Sequence, residues 1–410
     1  MTAARTSLLP GAARSAAWSI GLSLALPLAA LAGPYVPSGT CGPFPRVDVA
    51  VPAGHCMALV ADATRGLRFP RRLLEVAPDR FWIVDMGNWE PRQGRLLELR
   101  LNEAAADPAE RVRVTTLVAK LDRPHGLVRG PDGRVYVGEA GRIWRTPVVD
   151  GPVQQEVVID RLPADGAHPL KEMTFGPDGR LYLNVGSASD ACRGTGGVQP
   201  VPCPEVTGDT PRAAVYVAEL GPGTPALKSL RPFATGLRNS VALAFAGSTL
   251  LQGENSIDYS DAGEPPEELN VLRDGARYGW PYCTGDRKPA RGYDKRPGCA
   301  GTDAPVQAWP AHAAPLHLLA VPATPPSPYA GRMLVAWHGH RPTGHRVMAL
   351  RIDTHGRPAA APEQVVGGWD DAPTHPKGAP TGLAVDHRGR LWLVEDRNKT
   401  VLMVRPQTAP

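Results

Sequence analysis

The 410-residue sequence lacks several patterns that would assign it to a common class of protein. Beyond residue 32, no apolar run approaches the roughly 18 residues that a membrane-spanning helix requires, and helical periodicity is almost absent. Its lysines and arginines are scattered rather than grouped in runs, which gives nucleic-acid binding no support. The cysteines form no CxxC pair and no haem attachment motif occurs, so a zinc site or a bound haem is not indicated.

Residues 1–32 have the character of a secretory signal peptide. Two arginines precede an apolar run over 16–31, and small residues suit cleavage at Ala32. An uncleaved membrane anchor is the alternative, but Pro27 interrupts the run. We therefore predict a periplasmic or secreted protein with a single domain over 33–410 and no membrane span after cleavage. Removing the two arginines leaves a charge of +3 from the formal +5, a mild excess that tolerates an anionic ligand.

Export favours disulfides, and the six cysteines fall into three close pairs. Each pair would close a short loop, although other pairings are formally possible. The predicted disulfides are Cys41–Cys56, Cys192–Cys203 and Cys283–Cys299.

A turn followed by an apolar strand recurs six times along the chain. The six runs are FWIVD (81–85), RVYVGE (134–139), RLYLNVG (180–186), TLLQGEN (249–255), RMLVAWHG (332–339) and RLWLVED (390–396). Six hairpin-bearing repeats without helical periodicity predict an all-β, six-bladed propeller with long inter-blade loops. We expect the segment CMALVA, 56–61, to pair beside 391–404 and close the ring.

His168 is the first candidate for a chemical role. A proline follows it, so the chain is extended and non-helical there, just ahead of the strand run 180–186. Because an ordinary imidazole has a pKa of about 6.5, a neutral histidine is available to accept a hydroxyl proton as a general base. A structural histidine bonded to a backbone carbonyl is the alternative.

Other polar side chains recur near one end of the repeat. Arg238 and Asn239 offer a guanidinium and an amide that suit a carboxylate or developing negative charge, or else form a surface turn. The loop 254–270 holds six carboxylates, which are suitable Ca²⁺ ligands unless the loop is merely solvated. Arg341, in the segment WHGHR, is a candidate anion contact.

Taken in this order, the motifs resemble those of the secreted dehydrogenases that depend on pyrroloquinoline quinone (PQQ), the soluble glucose and sorbosone dehydrogenase-like six-bladed propellers. The resemblance extends over most of 67–404. It is carried by RPHGL with PDGRVYVGE, His168 with FGPDGRLYLNVGSAS, GLRN, GEN…EELN…YGWPYC and HGHRPTGHRV.

The resemblance implies hydride transfer from a sugar or polyol hydroxyl to PQQ, with Ca²⁺ as a Lewis acid and an external electron acceptor. His168 matches the family's general base, and Arg238 is expected to act beside it in catalysis. The cofactor contacts that it implies are Arg238, Asn239 and Arg341, and the implied Ca²⁺ ligands are the main-chain carbonyls of Ser256 and Ile257.

The last repeat departs from the family's pattern. Relatives commonly carry an arginine that faces the quinone where this chain has GAPT, 378–381, and Ser240 follows GLRN in place of a proline. Lys377 is the candidate replacement, although it is a point charge and not a planar guanidinium. A non-catalytic propeller that binds a glycan or protein partner is therefore an alternative. A Ca²⁺-dependent lactonase-type hydrolase is another, but it needs carboxylates and asparagines from several blades, whereas here one loop concentrates them.

Overall fold

The computed structural model describes residues 35–194, 197–223, 226–293, 297–324, 327–339, 341–369 and 378–407. The predicted signal peptide and Lys377 lie outside the described residues. Regular structure in the described part is mainly β-strand, with short 3-10 helices at Ala63–Arg65, Pro108–Glu110 and Pro204–Val206. None of the described helices is long and apolar enough to cross a membrane.

The strands form six antiparallel sheets that follow one another along the chain as the blades of a propeller. Before the first blade come β1 (Thr40–Cys41), β2 (Phe44–Val47) and β3 (His55–Ala61). Blade 1 contains β4 (Pro70–Ala77), β5 (Arg80–Asp85), β6 (Gly94–Leu101) and β7 (Val112–Leu121). Blade 2 contains β8 (Leu127–Arg129), β9 (Val135–Gly138), β10 (Ile143–Thr146) and β11 (Glu156–Ile159). Blade 3 contains β12 (Met173–Phe175), β13 (Leu181–Val185), β14 (Ala214–Leu220) and β15 (Leu227–Thr235).

The remaining three blades complete the ring. Blade 4 contains β16 (Ala242–Ala246), β17 (Thr249–Glu254) and β18 (Glu267–Leu272), then the separate hairpin of β19 (Cys283–Thr284) and β20 (Lys288–Pro289), and finally β21 (Gln307–Trp309). Blade 5 contains β22 (Pro315–Ala320), β23 (Arg332–Trp337), β24 (Arg346–Arg351) and β25 (Glu363–Val366). Blade 6 contains β26 (Pro380–Val385), β27 (Leu391–Glu395) and β28 (Thr400–Pro406). The predicted all-β six-bladed propeller is confirmed, and each of the six predicted runs supplies the second strand of a blade.

The N-terminal strand β3 completes blade 6 by pairing antiparallel with β28, so the predicted closure of the ring is confirmed. The Cys41–Cys56 disulfide joins the end of β1 to β3 and fastens this closure. The other two predicted disulfides, Cys192–Cys203 and Cys283–Cys299, are also present. A disulfide typically adds about 2–4 kcal/mol to the free energy of unfolding, and more for longer loops.

The second strands are buried on both faces. Every residue of β13 and of β27 is buried, because each blade is covered by a neighbour on either side. Aromatic rings fill these junctions; Phe81 of blade 1 lies 4.2 Å, centroid to centroid, from Trp392 of blade 6. The second strands are therefore apolar along their length because both of their faces are packed. A strand with one face in water would instead alternate apolar and polar residues.

The first strands of the six blades surround the propeller axis, each in contact with the first strands of both neighbouring blades. Since the strands within a blade are antiparallel, the segment before each first strand and the segment after each second strand reach the same face of the ring. His168, ahead of β12, and Arg238, ahead of β16, therefore lie on one face.

Arg72 of β4 closes the axis. Its side chain is almost completely buried, and its guanidinium lies within hydrogen-bonding distance of groups from every blade. These groups are the carbonyl oxygens of Arg71, Val241, Leu316 and Thr381, the imidazole of His125 and the carboxylate of Glu172. One cavity, lined by Arg71 and Leu170, lies on the face that carries His168, and a second, lined by Arg72 and Phe175, lies farther along the axis.

Candidate functional site

A cavity of about 510 Å³ opens on the face that carries His168. It is lined by residues of blades 1, 3, 4, 5 and 6 and of the segments that join them, as expected for a pocket on the propeller axis. Of the predicted site residues, the cavity brings together His168, Arg238, Asn239 and Ser256.

His168 is half-buried, and its hydrogen bonds define which ring nitrogen carries the proton. Nδ1 lies 2.9 Å from the carbonyl oxygen of Ser187 and 2.9 Å from its hydroxyl oxygen. That hydroxyl donates its own proton to the carbonyl of Ser189 at 2.6 Å. Because both oxygens around Nδ1 act as acceptors, Nδ1 must carry the hydrogen, and Nε2 presents its lone pair. Nε2 has no hydrogen-bond partner within the described part of the chain.

The protonated state of His168 is strongly disfavoured. Burial, together with the nearby positive charge of Arg238, lowers the pKa of the imidazole to about 3, opposed by its bond to Ser187 and by Asp190. Neutral imidazole is therefore the resting form across the ordinary pH range, and it is the form that a general base needs.

Arg238 lies beside the histidine but is largely occupied by the protein. Nε donates to the carbonyl of Asp190 at 3.1 Å, and Nη1 donates to the carbonyl of Asn255 at 2.9 Å. Nη2 lies 2.8 Å from the carboxylate of Asp190 and 3.0 Å from that of Asp258. The guanidinium therefore joins the loops after β13 and β17. By contrast, the half-buried side-chain amide of Asn239 has no hydrogen-bond partner among the described residues and is available to a ligand.

The two predicted Ca²⁺ ligands differ in position. Ser256 lines the cavity; its N–H donates to Glu267 Oε2 at 2.6 Å and its hydroxyl donates to the Pro266 carbonyl at 2.6 Å. Ile257 is 2% exposed and lies outside the lining, and its carbonyl already accepts a bond from Tyr259 N–H at 3.0 Å.

Glu267 was counted in the sequence only as one of six loop carboxylates, yet it is a buried wall of the cavity. Its second oxygen accepts from the Ala314 N–H at 3.1 Å, and burial raises the pKa of this carboxyl to about 8. A bound cation would stabilise the charged form of a carboxyl group whose pKa is raised by burial. Glu267, Ser256 and Asp258 together present hard oxygen atoms of the kind that Ca²⁺ prefers.

The predicted cation Arg341 does not reach the cavity lining. Its Nη2 donates to the carbonyl of Ser260 at 3.3 Å, on an exposed part of the loop after β17. Two arginines that were not predicted line the cavity, Arg71 in β4 and Arg397 after β27. Arg71 belongs to the segment Phe-Pro-Arg at the entry to blade 1, as Gly-Leu-Arg-Asn leads into blade 4. The recurrence of polar side chains at this end of the repeat was the available signal.

The wall formed by blades 5, 6 and 1 carries an ionic cluster. Asp396, after β27, pairs with Arg71 Nη1 through one oxygen, and its other oxygen lies 2.9 Å from His338 Nε2. Although burial acts to raise it, His338 and Arg71 hold the pKa of Asp396 below its usual range. Of the carboxylates that line the cavity, Asp258 and Glu267 come from one loop and strand of blade 4, while Asp396 is neutralised by Arg71. This distribution does not favour the multi-blade metal site that a lactonase requires.

No family model matches the sequence, and no curated protein matches it. Solved structures do match. A carbohydrate-active enzyme of family AA12 from Trichoderma reesei aligns with a TM-score of 0.68 and 17% identity over 87% of this chain and 97% of its own. The holo PQQ domain of pyranose dehydrogenase from Coprinopsis cinerea aligns with a TM-score of 0.65 and 17% identity over 88% and 98%.

A third match is the PQQ-bound aldose sugar dehydrogenase from Streptomyces coelicolor, with a TM-score of 0.56 and 19% identity over 87% of this chain and 99% of that one. The fold resembles that of PQQ-dependent sugar dehydrogenases. At these identities the likeness establishes the fold, and the resemblance predicted from the ordered motifs is confirmed at that level.

Proposed function

We propose that this protein is an exported dehydrogenase that oxidises a sugar or polyol hydroxyl, with PQQ and Ca²⁺ as cofactors. The observation that carries this proposal is His168, which lies in the axial cavity with Nδ1–H bonded to Ser187 and with Nε2 free to accept a proton. Oxidation of an alcohol needs such a base, because the hydroxyl proton must leave as the hydride departs from the same carbon. The three disulfides support export to an oxidising compartment, the periplasm or the medium.

The cavity residues fit a planar polycarboxylate bound beside Ca²⁺. Asn239 and Arg71 offer hydrogen-bond donors, and the ring of Phe69 provides an aromatic surface. The carboxyl group of Glu267 and oxygen atoms of Ser256 would hold the metal. When bound, the pair supplies a hydride acceptor whose carbonyl is polarised by a Lewis acid.

The protein's own contribution is to place and hold the proton. His168 Nε2 takes the hydroxyl proton, and its Nδ1–H bond to the Ser187 carbonyl keeps the ring oriented during the transfer. Arg238 lies close enough to weaken the basicity of His168, so the proton is accepted only transiently and passes on to water at the cavity mouth. The electrons leave to an external acceptor.

The proposal is tested with mature protein that has been stripped with EDTA. Titration with PQQ, with and without Ca²⁺, is followed by absorbance, and dye reduction is then measured on a panel of aldoses and polyols. We expect tight, Ca²⁺-dependent binding and sugar-dependent dye reduction. Absence of PQQ binding at micromolar concentration in the presence of Ca²⁺ would overturn the proposal and favour a propeller that binds a glycan or protein.

Trp89 provides a separate prediction about the substrate. Its side chain is 53% exposed at the cavity, next to Phe69 with a ring-centroid separation of 6.4 Å. Exposed tryptophan rings suit stacking on the apolar face of a sugar. We expect Trp89→Ala to raise KM for the substrate about 2- to 12-fold with little change in kcat or in the melting temperature. An unchanged KM would show that substrate does not contact this ring. Val149→Ala, at another exposed apolar position, serves as the control.

A further inference from the structure

Within the described part of 378–381, where relatives commonly carry an arginine, the last blade offers no cation. Ala379 is buried, and its N–H donates to Glu395 Oε1 at 2.9 Å. Arginines lining the cavity within the described part of the chain are Arg71, Arg238 and Arg397. Arg238 is saturated by Asp190, Asp258 and a carbonyl, and Arg397 is exposed to solvent.

We propose that Arg71 is the cation that binds a carboxylate of the cofactor, in place of the arginine that relatives carry where this chain has GAPT, 378–381. This inference rests on the proposed function. The Arg71 side chain is only 4% exposed, yet it lines the cavity. Nε donates to His125 Nδ1 at 3.2 Å and Nη1 pairs with Asp396. Nη2 has no partner among the described residues, so its N–H groups remain for a ligand.

The groups behind Arg71 fix its orientation. His125 is fully buried, and burial together with the charges of Arg72 and Arg71 lowers its pKa well below the usual value, so the ring is neutral and its Nδ1 accepts from Arg71. The other ring nitrogen, Nε2, therefore carries the hydrogen and lies 3.5 Å from Glu172 Oε2, which also accepts from Nε of Arg72. Arg71 is therefore held against the buried cluster around Arg72 and loses little conformational entropy when it binds a ligand.

Asp396 does not cancel this role. The carboxylate is shared between Arg71 and His338, so its charge is divided between two donors. It holds the guanidinium at Nη1, whereas His125 holds it at Nε. The Cζ atom of Arg71 also lies 5.5 Å from the ring centroid of Phe69. A flat aromatic ligand against Phe69 thus places a ring carboxylate within reach of Arg71. A planar guanidinium suits that carboxylate better than an ammonium group does.

The test is a PQQ titration of EDTA-stripped, Ca²⁺-reloaded protein, read by absorbance and by quenching of tryptophan fluorescence. For Arg71→Gln we expect the Kd for PQQ to rise about 10- to 100-fold, the loss of one charge-assisted bond. Arg71→Lys should fall between wild type and Arg71→Gln. Arg231→Gln is the matched control, because Arg231 lies on the outer strand of blade 3, half exposed and paired with Asp274, and its Kd should not change.

Asp396→Asn covers the case in which Arg71→Gln fails to fold. It keeps the guanidinium and an amide oxygen that can still accept from Nη1, and it removes the counter-charge, so PQQ should bind as tightly as to wild type or more tightly. Weaker binding by this folded variant would count against the proposal. If wild type binds PQQ and the folded Arg71→Lys and Arg71→Gln proteins bind it equally well, Arg71 is not the contact and the proposed function stands. If wild type itself does not bind, the proposed function fails, and this inference fails with it.

Discussion

Replacing His168 with alanine is expected to lower kcat of the PQQ- and Ca²⁺-loaded protein by about 10²- to 10⁴-fold, the usual contribution of a general base. The Kd for PQQ should stay within a few fold, since His168 contributes a proton acceptor and not a charge to the cofactor. His355→Ala, at an exposed turn after β24, is the control and should leave kcat unchanged. A His168→Ala protein with wild-type kcat would remove this residue from the reaction.

The pH dependence of kcat/KM provides a second test of His168. Because burial and Arg238 lower the pKa of His168 to about 3, the base stays neutral in the folded protein well below its ordinary pKa of about 6.5. The acid limb of kcat/KM that belongs to His168 should therefore lie near pH 3 and not near pH 6.5. The free energy of unfolding should depend on pH for the same reason. Because the pKa of His168 is higher in the unfolded chain, the unfolded chain takes up this proton at higher pH, and the stabilising contribution of neutral His168 is lost as pH falls from about 6.5 towards about 3.

The largest expected effect on stability comes from Arg72. We expect Arg72→Met to lower the free energy of unfolding by about 3–5 kcal/mol, because it leaves Glu172 buried without its cation and removes donors from carbonyls in several blades. Although burial lowers the pKa of Arg72 to about 10, the guanidinium stays charged at neutral pH, opposite a carboxylate that is almost fully buried. Thermal and urea unfolding measure the loss.

Two further variants separate ion pairing from packing. Arg72→Met combined with Glu172→Met should recover much of the lost stability, because no unpaired charge then remains in the axis. Arg100→Met, at an arginine that is 52% exposed and paired with Glu98, should cost at most about 1 kcal/mol. An Arg72→Met protein that unfolds like wild type would mean that the axis tolerates the loss of its central cation.

The sequence by itself determined the repeat, the closure of the ring by 56–61 and the three disulfides. The repeat and the disulfides depend on residues close in sequence, such as a turn followed by an apolar strand. The closure joins distant strands, but it needs only an apolar strand that is left without a partner at the N-terminal end. It also placed His168, Arg238, Asn239 and Ser256 near one end of their repeats, and the antiparallel order of each blade then brought them to one face.

The charged residues in the cavity wall formed by blades 5, 6 and 1 could be brought together only by the tertiary structure. Arg71 and Asp396 are 325 positions apart and become neighbours because blade 6 closes against blade 1, a contact that no local pattern encodes. The six-blade environment of Arg72 arises in the same way. Loop geometry, which short motifs do not specify, turned the carbonyl of Ile257 towards Tyr259 and left Arg341 outside the cavity. The candidate site residues could thus be identified from local motifs. The partners of the charged residues could not, because ring closure brings segments that are distant in sequence together on one axis.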